Sequence, residues 1–361
     1  MNARFGEGLS VLARLGGVLG GDGVSTSGSA HGDVYLPQRR PKGTVMVVHG
    51  MSPAGPNDVR LIALCRAVAA AGFRVVAPRF DSVAALRMHV GQIDEIEHAI
   101  GRLVDDAELC PSGRVGVLSV SFSAGLSLIA SSRARVASRI TAACLIGTYG
   151  DIGSTLRAYV ERDDVTSYGW KIVAANFVDT VVPDAEPIRR ALIVSALDEW
   201  HKRDQPELPA TLATLSRRDA DMVRAILDDR GARRELAEAV LARRPLFCDF
   251  GSVVDHVGGV EAPVTLLHGQ DDRTIPCDQS RRVHDAAVAA GRQSRLVTTP
   301  LLTHGDLQWS WRTLAAVPAF ADALGAWISE ASADSGATRA QRRVTRDPSA
   351  TATGPWAARR A

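Results

Sequence analysis

The sequence predicts an α/β protein with a mostly parallel central sheet, helices on both of its faces and a helical insertion. Short, continuously apolar runs rich in β-branched residues alternate with segments whose apolar residues recur at helical spacing. Runs such as 43–49 and 115–120 are apolar enough for strands that are buried on both faces. Because sites in such sheets lie at the carboxyl ends of the strands, the residues that follow each run are the first candidates for function.

The composition is that of an ordinary soluble globular protein. Of its 361 residues 46% are hydrophobic, which is ample for a large core, and 42 Lys and Arg against 40 Asp and Glu leave a net charge of +2. That balance does not favour a nucleic-acid or membrane-surface partner. No run approaches the roughly 18 uncharged apolar residues of a membrane-spanning helix, so none is predicted.

Cysteine usage predicts a reducing compartment, the cytoplasm. The five cysteines are widely spaced and form no C-x-x-C pair, so neither a disulfide framework nor a zinc site is expected. Arg14 interrupts the apolar run 9–19 and no cleavage site follows, which argues against a signal peptide. The glycine-rich run after it lacks G-K-[ST], so no nucleotide cofactor is expected. The oligomeric state stays open.

The first half of the chain predicts an edge strand followed by alternating strands and helices. Residues 1–31 end in a Gly/Ser-rich run and are interpreted as a flexible lead-in. Helices are predicted after Pro56, around Ile93–Leu103 and from Gly125, where apolar residues repeat at helical spacing. Apolar, β-branched runs predict strands at 32–37, 43–49, 73–77, 115–120 and 140–146.

The second half predicts a helical cap and the rest of the sheet. Residues 153–260 are rich in charged, helix-forming segments and are interpreted as a mostly helical cap insertion. The predicted core therefore comprises 32–152 and 261–330. The polar tail, 331–361, is interpreted as disordered, and its Trp356 has no assigned role. Within the later core segment, strands are predicted at 263–267 and 294–298, and helices at about 279–290 and 311–328.

The stretch Arg114–Ser131 carries the strongest local signal of chemistry. A buried strand at 115–120 runs into a small-residue helix, and we place Ser123 at the turn between them. The letters S-F-S-A-G of residues 121–125 are similar to the nucleophile elbow G-x-S-x-G, with Ser121 in place of its first glycine. A plain strand, turn and helix with incidental serines fits the same letters.

Two later strand ends supply the other groups that acyl transfer needs. The run H-G-Q-D-D-R-T-I-P, residues 268–276, follows one strand, and His304 follows the last strand. With a serine, an acid and a histidine in this order, the sequence resembles the α/β-hydrolase family over about residues 32–329. The resemblance implies Ser123 as nucleophile, Asp272 as the orienting acid, His304 as the base, and no cofactor.

The resemblance also implies an oxyanion hole. His49-Gly50, at the end of an early strand, matches the family's oxyanion-loop motif, so the backbone N–H groups of Met51 and Ala124 are the implied donors. His49 and His268 themselves are interpreted as structural, satisfied by backbone partners. Asp151, which follows the strand 140–146, remains an alternative acid because some family members place the carboxylate one strand earlier.

These features together favour a serine hydrolase that acts on a small-molecule carboxylic ester or thioester. Two alternatives remain at this point: an acyltransferase of the same fold, and a hydrolase-like binding protein without turnover. The predicted cap contains five aromatic residues that either line an apolar pocket or form the core of the cap. They are Tyr168, Trp170, Phe177, Trp200 and Phe247.

Overall fold

The computed structural model of the chain describes residues 3–17, 19, 23–162, 167–242 and 251–332. Its strands are β1 Ser25–Ser29, β2 Gly32–Leu36, β3 Thr44–Val48, β4 Arg74–Ala77, β5 Val115–Val120, β6 Ile140–Ile146, β7 Val264–Gly269 and β8 Ser294–Thr299. Its helices are α1 Ala3–Leu15, α2 Val59–Ala70, α3 Asp81–Ala84, α4 Gly91–Asp105, α5 Phe122–Ser132, α6 Ile152–Glu161, α7 Ser167–Phe177, α8 Glu186–His201, α9 Leu208–Ala213, α10 Arg217–Asp228, α11 Arg230–Ala242, α12 Asp278–Ala289 and α13 Val317–Ala331.

The strands form one eight-stranded sheet in the order β1-β2-β4-β3-β5-β6-β7-β8. The pairs β1/β2 and β2/β4 are antiparallel, and all other neighbours pair in parallel. Every residue of β3 is buried, which explains its continuously apolar sequence. The predicted mostly parallel sheet is confirmed, and the carboxyl ends of β3, β5, β6, β7 and β8 meet at one edge.

Apolar side chains cover both faces of the sheet. On one face α1, α2 and α13 pack through residues such as Leu12, Leu64 and Trp327. On the other face α4 and α5 pack through Ile96 and Leu126, and the helices of the insertion join the same apolar cluster. This burial holds the strand ends in fixed positions and so provides a rigid base for a site on the loops that follow them.

The N-terminal segment differs from the expected flexible lead-in. Residues 3–15 form α1, which packs so closely on α13 that a Cβ at Gly8 would lie 1.9 Å from the carbonyl oxygen of Ala321. Residues 25–29 form the edge strand β1, whose side chains are all exposed and which pairs with β2 through backbone hydrogen bonds. Polar, glycine-containing edge strands carry little apolar signal, so the sequence pattern did not reveal this one.

The segment interpreted as an insertion is mostly helical in its described part. Helices α6–α11 lie between residues 152 and 242 and are joined by short connections, of which 163–166 are outside the described residues. Trp170 and Phe177 are buried, and the Trp170 indole N–H donates to the Ile226 carbonyl at 3.0 Å, so both aromatics belong to the core of the insertion. Phe247, Cys248 and the tail with Trp356 lie outside the described residues. No helix in the described ranges is long and apolar enough to cross a membrane.

Candidate active site

Ser121 occupies the sharp turn between β5 and α5. Its backbone has φ 59° and ψ −140°, a conformation that costs a non-glycine residue about 1–3 kcal/mol and is typical of nucleophile elbows. The Ser121 N–H donates to the Ile146 carbonyl of β6 at 2.8 Å, which pins the strained residue to the sheet. The turn therefore projects the Ser121 hydroxyl from the carboxyl end of β5.

The placement of Ser123 at the apex of this turn is wrong. Ser123 lies inside the first turn of α5, is fully buried, and its Oγ has no hydrogen-bond partner among the described residues. The elbow is two residues earlier and has serines where the usual motif has glycines, at Ser119 and Ser123. Both flanking serines are buried, which leaves Ser121 as the serine of this run that reaches a histidine.

Gly125 misled the sequence interpretation because its conformational role lies elsewhere. A Cβ at Gly125 would lie 2.3 Å from the ring of Tyr149, so glycine is required there by helix packing and not by the elbow. The signal that locates the elbow is the end of the strand. The buried run of β5 stops at Val120, and the elbow residue directly follows it.

His304 links Ser121 to Asp272. The Ser121 Oγ lies 2.7 Å from His304 Nε2, and His304 Nδ1 lies 2.9 Å from Asp272 Oδ2. A carboxylate only accepts hydrogen bonds, so Nδ1 carries the proton and Nε2 offers its lone pair to the Ser121 hydroxyl. The loops after β5, β7 and β8 thus bring together one serine, one carboxylate and one histidine in the arrangement of a catalytic triad.

Asp272 is held as a charged carboxylate although it is buried. Burial alone would raise its pKa, but the electrostatic and hydrogen-bond interactions with His304, and next those with His268, hold the pKa of Asp272 well below its usual range. Its other oxygen, Oδ1, accepts the backbone N–H groups of Thr274 and Ile275 at 2.8 and 2.9 Å. The carboxylate is therefore ionised and oriented before any substrate arrives.

The oxyanion-loop residues lie beside the elbow. A Cβ at Gly50 would lie 3.0 Å from the Ser121 Cβ, so the loop after β3 approaches the candidate nucleophile as closely as glycine permits. Ala124, the predicted second donor, is also wrong, because the elbow lies two residues earlier than predicted. The Ala124 N–H donates to the Ser121 carbonyl at 2.9 Å. The amide that directly follows Ser121 is that of Phe122, the first residue of α5, and it has no partner inside that helix.

His49 fixes the peptide unit that contains the Met51 N–H. Its Nε2 accepts the Phe80 N–H at 3.0 Å, so its Nδ1 carries the proton and donates to the Gly50 carbonyl at 2.9 Å. Burial lowers the pKa of His49, which favours this neutral form. His49 is thus satisfied by backbone partners, as the sequence analysis predicted.

Asp151, the alternative acid, caps a helix. Its carboxylate accepts the Ser154 N–H at 2.6 Å at the N-terminus of α6. Its backbone N–H and the Ser154 hydroxyl both reach the Gln279 side chain. The structure brings Asp272, and not Asp151, to His304.

The insertion touches the oxyanion loop. The Tyr168 hydroxyl donates to the Met51 carbonyl at 2.8 Å, and its ring centroid lies 5.6 Å from that of Trp200. Trp200 in turn lies 4.5 Å from the Arg60 guanidinium, which is paired with Asp58. These contacts connect α7 and α8 to the core directly beside the candidate site.

The strand order and the elbow define the α/β-hydrolase fold. The antiparallel strands β1 and β2 come first in the chain and the parallel strands β3 to β8 follow, as in that fold. The loops that carry Ser121, Asp272 and His304 also follow one another in its order. The resemblance found in the sequence is confirmed at this level. Across the described residues, no cluster of His, Cys, Asp and Glu has the geometry of a metal site.

Comparison with known proteins gives limited sequence similarity. No family model matches the chain. A stretch of 55 residues is 40% identical to isoprenylcysteine alpha-carbonyl methylesterase from Arabidopsis thaliana, covering 15% of this chain and 13% of that protein.

Solved structures with partial similarity are hydrolases by name. A puromycin-hydrolyzing peptidase from Mycobacterium tuberculosis has a TM-score of 0.49 at 15% identity, covering 86% of this chain and 39% of its own. The acylaminoacyl peptidase of Pyrococcus horikoshii has a TM-score of 0.43 at 14% identity, covering 83% and 39%. An esterase from Pyrococcus furiosus has a TM-score of 0.44 at 12% identity, covering 86% and 90%. This chain therefore spans well under half the length of the two peptidases, and the fold assignment rests on its own strand order and elbow.

Proposed function

We propose that this protein is a serine hydrolase that cleaves a small-molecule carboxylic ester or thioester through an acyl-enzyme on Ser121. The observation that carries the proposal is the chain of hydrogen bonds from the Ser121 hydroxyl through His304 to Asp272, at 2.7 and 2.9 Å. A hydroxyl is a weak nucleophile on its own and becomes effective when a neighbouring base accepts its proton. The strained elbow supports the same role, because strain of this kind persists where the backbone serves a function.

The proposed mechanism assigns one step to each group. His304 Nε2 takes the proton of Ser121 as its Oγ attacks the carbonyl carbon, and then delivers that proton to the leaving alcohol or thiol. Asp272 holds the imidazole in the required tautomer and stabilises the imidazolium that forms. The N–H groups of Met51 and Phe122 are the proposed donors to the oxyanion. Water activated by His304 then releases the acid and restores Ser121, a cycle that needs no cofactor.

An ester as substrate class has one further support. The Arabidopsis thaliana protein that shares the 55-residue stretch is named as a methylesterase. The complete serine, histidine and carboxylate geometry also weakens the alternative of a binding protein without turnover.

Turnover on a panel of esters and thioesters with graded acyl length tests the proposal. We expect wild-type turnover on part of the panel, none above background for Ser121→Ala, and near wild-type turnover for the matched control Ser123→Ala. The control keeps its fold because it removes an unpaired buried hydroxyl. Turnover that survives in Ser121→Ala, or no turnover by the wild type, contradicts the proposal. Transfer of the acyl group to an added alcohol in preference to water identifies an acyltransferase instead.

A further inference from the structure

A second histidine contacts the same oxygen of Asp272 that faces His304. His268, the last residue but one of β7, places its Nε2 3.2 Å from Asp272 Oδ2 and 2.9 Å from the Ile275 carbonyl oxygen. Its Nδ1 lies 2.6 Å from the Ser280 Oγ of α12. His268, Asp272 and Ser280 are all buried, so water does not replace these contacts. Of these three residues, only Asp272 has a step in the proposed mechanism.

The partners determine which nitrogen of His268 carries the proton. The Ile275 carbonyl and the Asp272 carboxylate are both acceptors, so Nε2 carries the proton. Its hydrogen bond at 2.9 Å goes to the Ile275 carbonyl, and the same N–H also faces Asp272 Oδ2 at the longer distance of 3.2 Å. Nδ1 then accepts the Ser280 hydroxyl hydrogen, and a neutral ring satisfies every contact. Ser280 therefore fixes the tautomer of His268 in the way that Asp272 fixes the tautomer of His304.

We propose that His268 is a positioning residue for the reaction of Ser121, an inference that rests on the proposed function. Held by Ser280, it donates to Asp272 Oδ2 and keeps that oxygen in line with His304 Nδ1. The two backbone N–H groups on Oδ1 fix one end of the carboxylate, and His268 fixes the other. His268 also disperses part of the carboxylate charge, which tunes how strongly Asp272 stabilises the imidazolium of His304.

Other titratable groups surround this pair and stay constant in the test. Tyr159 of α6 is buried, and burial first and the Asp272 charge second raise its pKa. Arg60 of α2 lies against Gly305, next to His304, and 3.9 Å from Asp306. Asp271 and Arg273, the chain neighbours of Asp272, are exposed. None of these residues changes in the variants described below.

The test compares His268→Leu, which removes the donor, with His268→Gln, whose side-chain N–H reaches the position of Nε2. We expect His268→Leu to lower kcat by about 10- to 100-fold with little change in KM, because the carboxylate is no longer held in line with His304 Nδ1 and this misalignment outweighs its stronger charge. We expect the acid limb of its kcat/KM profile to move to higher pH, because the less dispersed carboxylate stabilises the imidazolium more strongly. His268→Gln retains most of kcat and the wild-type acid limb. Equal kcat and an unchanged acid limb in two folded variants overturn the proposal.

A second variant and a spectroscopic readout separate this inference from the proposed function. Ser280→Ala removes the partner of His268 Nδ1, so we expect the acid limb of the kcat/KM profile to move to higher pH by a smaller amount than in His268→Leu. An unchanged acid limb in Ser280→Ala counts against the proposal even where His268→Leu does not fold. The far-downfield proton resonance of the His304–Asp272 hydrogen bond, recorded by NMR on the Ser121→Ala background, needs no turnover. It shifts on adding His268→Leu but not His268→Gln if His268 holds the carboxylate. Turnover that persists in Ser121→Ala contradicts the proposed function alone.

Discussion

At the scale of single residues, the two candidate acids differ in the groups that their carboxylates contact. Asp272 contacts His304, whereas Asp151 caps α6. Asp272→Asn keeps the shape of the side chain but no longer favours the required His304 tautomer, so we expect turnover to fall on the order of 10³- to 10⁴-fold. Asp151→Asn is the matched control and should lose less than about tenfold, because asparagine caps helices nearly as well. Steady-state kinetics of the two purified variants checks this ranking, and the reverse ranking would make Asp151 the acid.

The low pKa of Asp272 also links stability to pH. A carboxyl whose pKa is lower in the folded than in the unfolded state contributes stability above its unfolded pKa of about 3.9, and this contribution is lost as the pH falls through the folded pKa. The difference in free energy of unfolding between wild type and Asp272→Asn should therefore shrink below about pH 4. Urea unfolding at several pH values between neutral and acid measures it. A constant difference over that range would mean that the Asp272 carboxylate gains nothing from its partners.

At the scale of elements, α1 and α13 meet through glycines. Cβ atoms at Gly8 and Gly325 would lie 1.9 and 2.0 Å from backbone carbonyl oxygens of the facing helix. Gly8→Ala should destabilise the protein by about 1–3 kcal/mol or more, because the helices must separate. Gly6→Ala, in the same helix with nothing within 4 Å of the added Cβ, should be neutral or stabilise by at most about 1 kcal/mol. Chemical denaturation compares the two, and equal effects would mean that α1 does not dock as described.

Helix α7 acts on the oxyanion loop through Tyr168. Removing its hydroxyl in Tyr168→Phe frees the Met51 carbonyl, so we expect kcat to fall by up to about tenfold with little change in Tm. Tyr35→Phe makes the same change in a buried tyrosine of β2 whose ring packs on the opposite face of the sheet, and it should leave kcat unchanged. Steady-state kinetics of both variants on the same ester measures these changes in kcat. An unchanged kcat in Tyr168→Phe would show that the loop keeps its geometry without the insertion.

Elements were predictable from the sequence where apolar periodicity was strong. The bounds of β5 and β6 were predicted to the residue, because buried parallel strands are continuous apolar runs. The edge strand β1 was missed, because it is polar and depends on backbone pairing with β2. The helix α1 was missed as part of the fold, because its docking depends on a close approach to α13 that no local pattern reveals.

At the scale of the whole molecule, the candidate site is assembled by loops that are far apart in sequence. Asp272 and His304 were predictable because each follows a strand in a recognisable context. The serine was misplaced by two residues, because three serines alternate at 119, 121 and 123 and Gly125 suggested the wrong register. Only the three-dimensional contact with His304 distinguishes Ser121 from its neighbours. The contribution of His268 likewise depends on a distance that the sequence does not contain.

The central claim is that Ser121 is the activated nucleophile. Mass-spectrometric mapping of the adduct formed with a fluorophosphonate probe tests it most directly, because only an activated hydroxyl reacts readily. We expect one phosphonyl group per chain, located on Ser121, with labelling abolished in Ser121→Ala and retained in Ser123→Ala. An adduct on Ser123, or equal labelling of Ser121→Ala, would contradict the account.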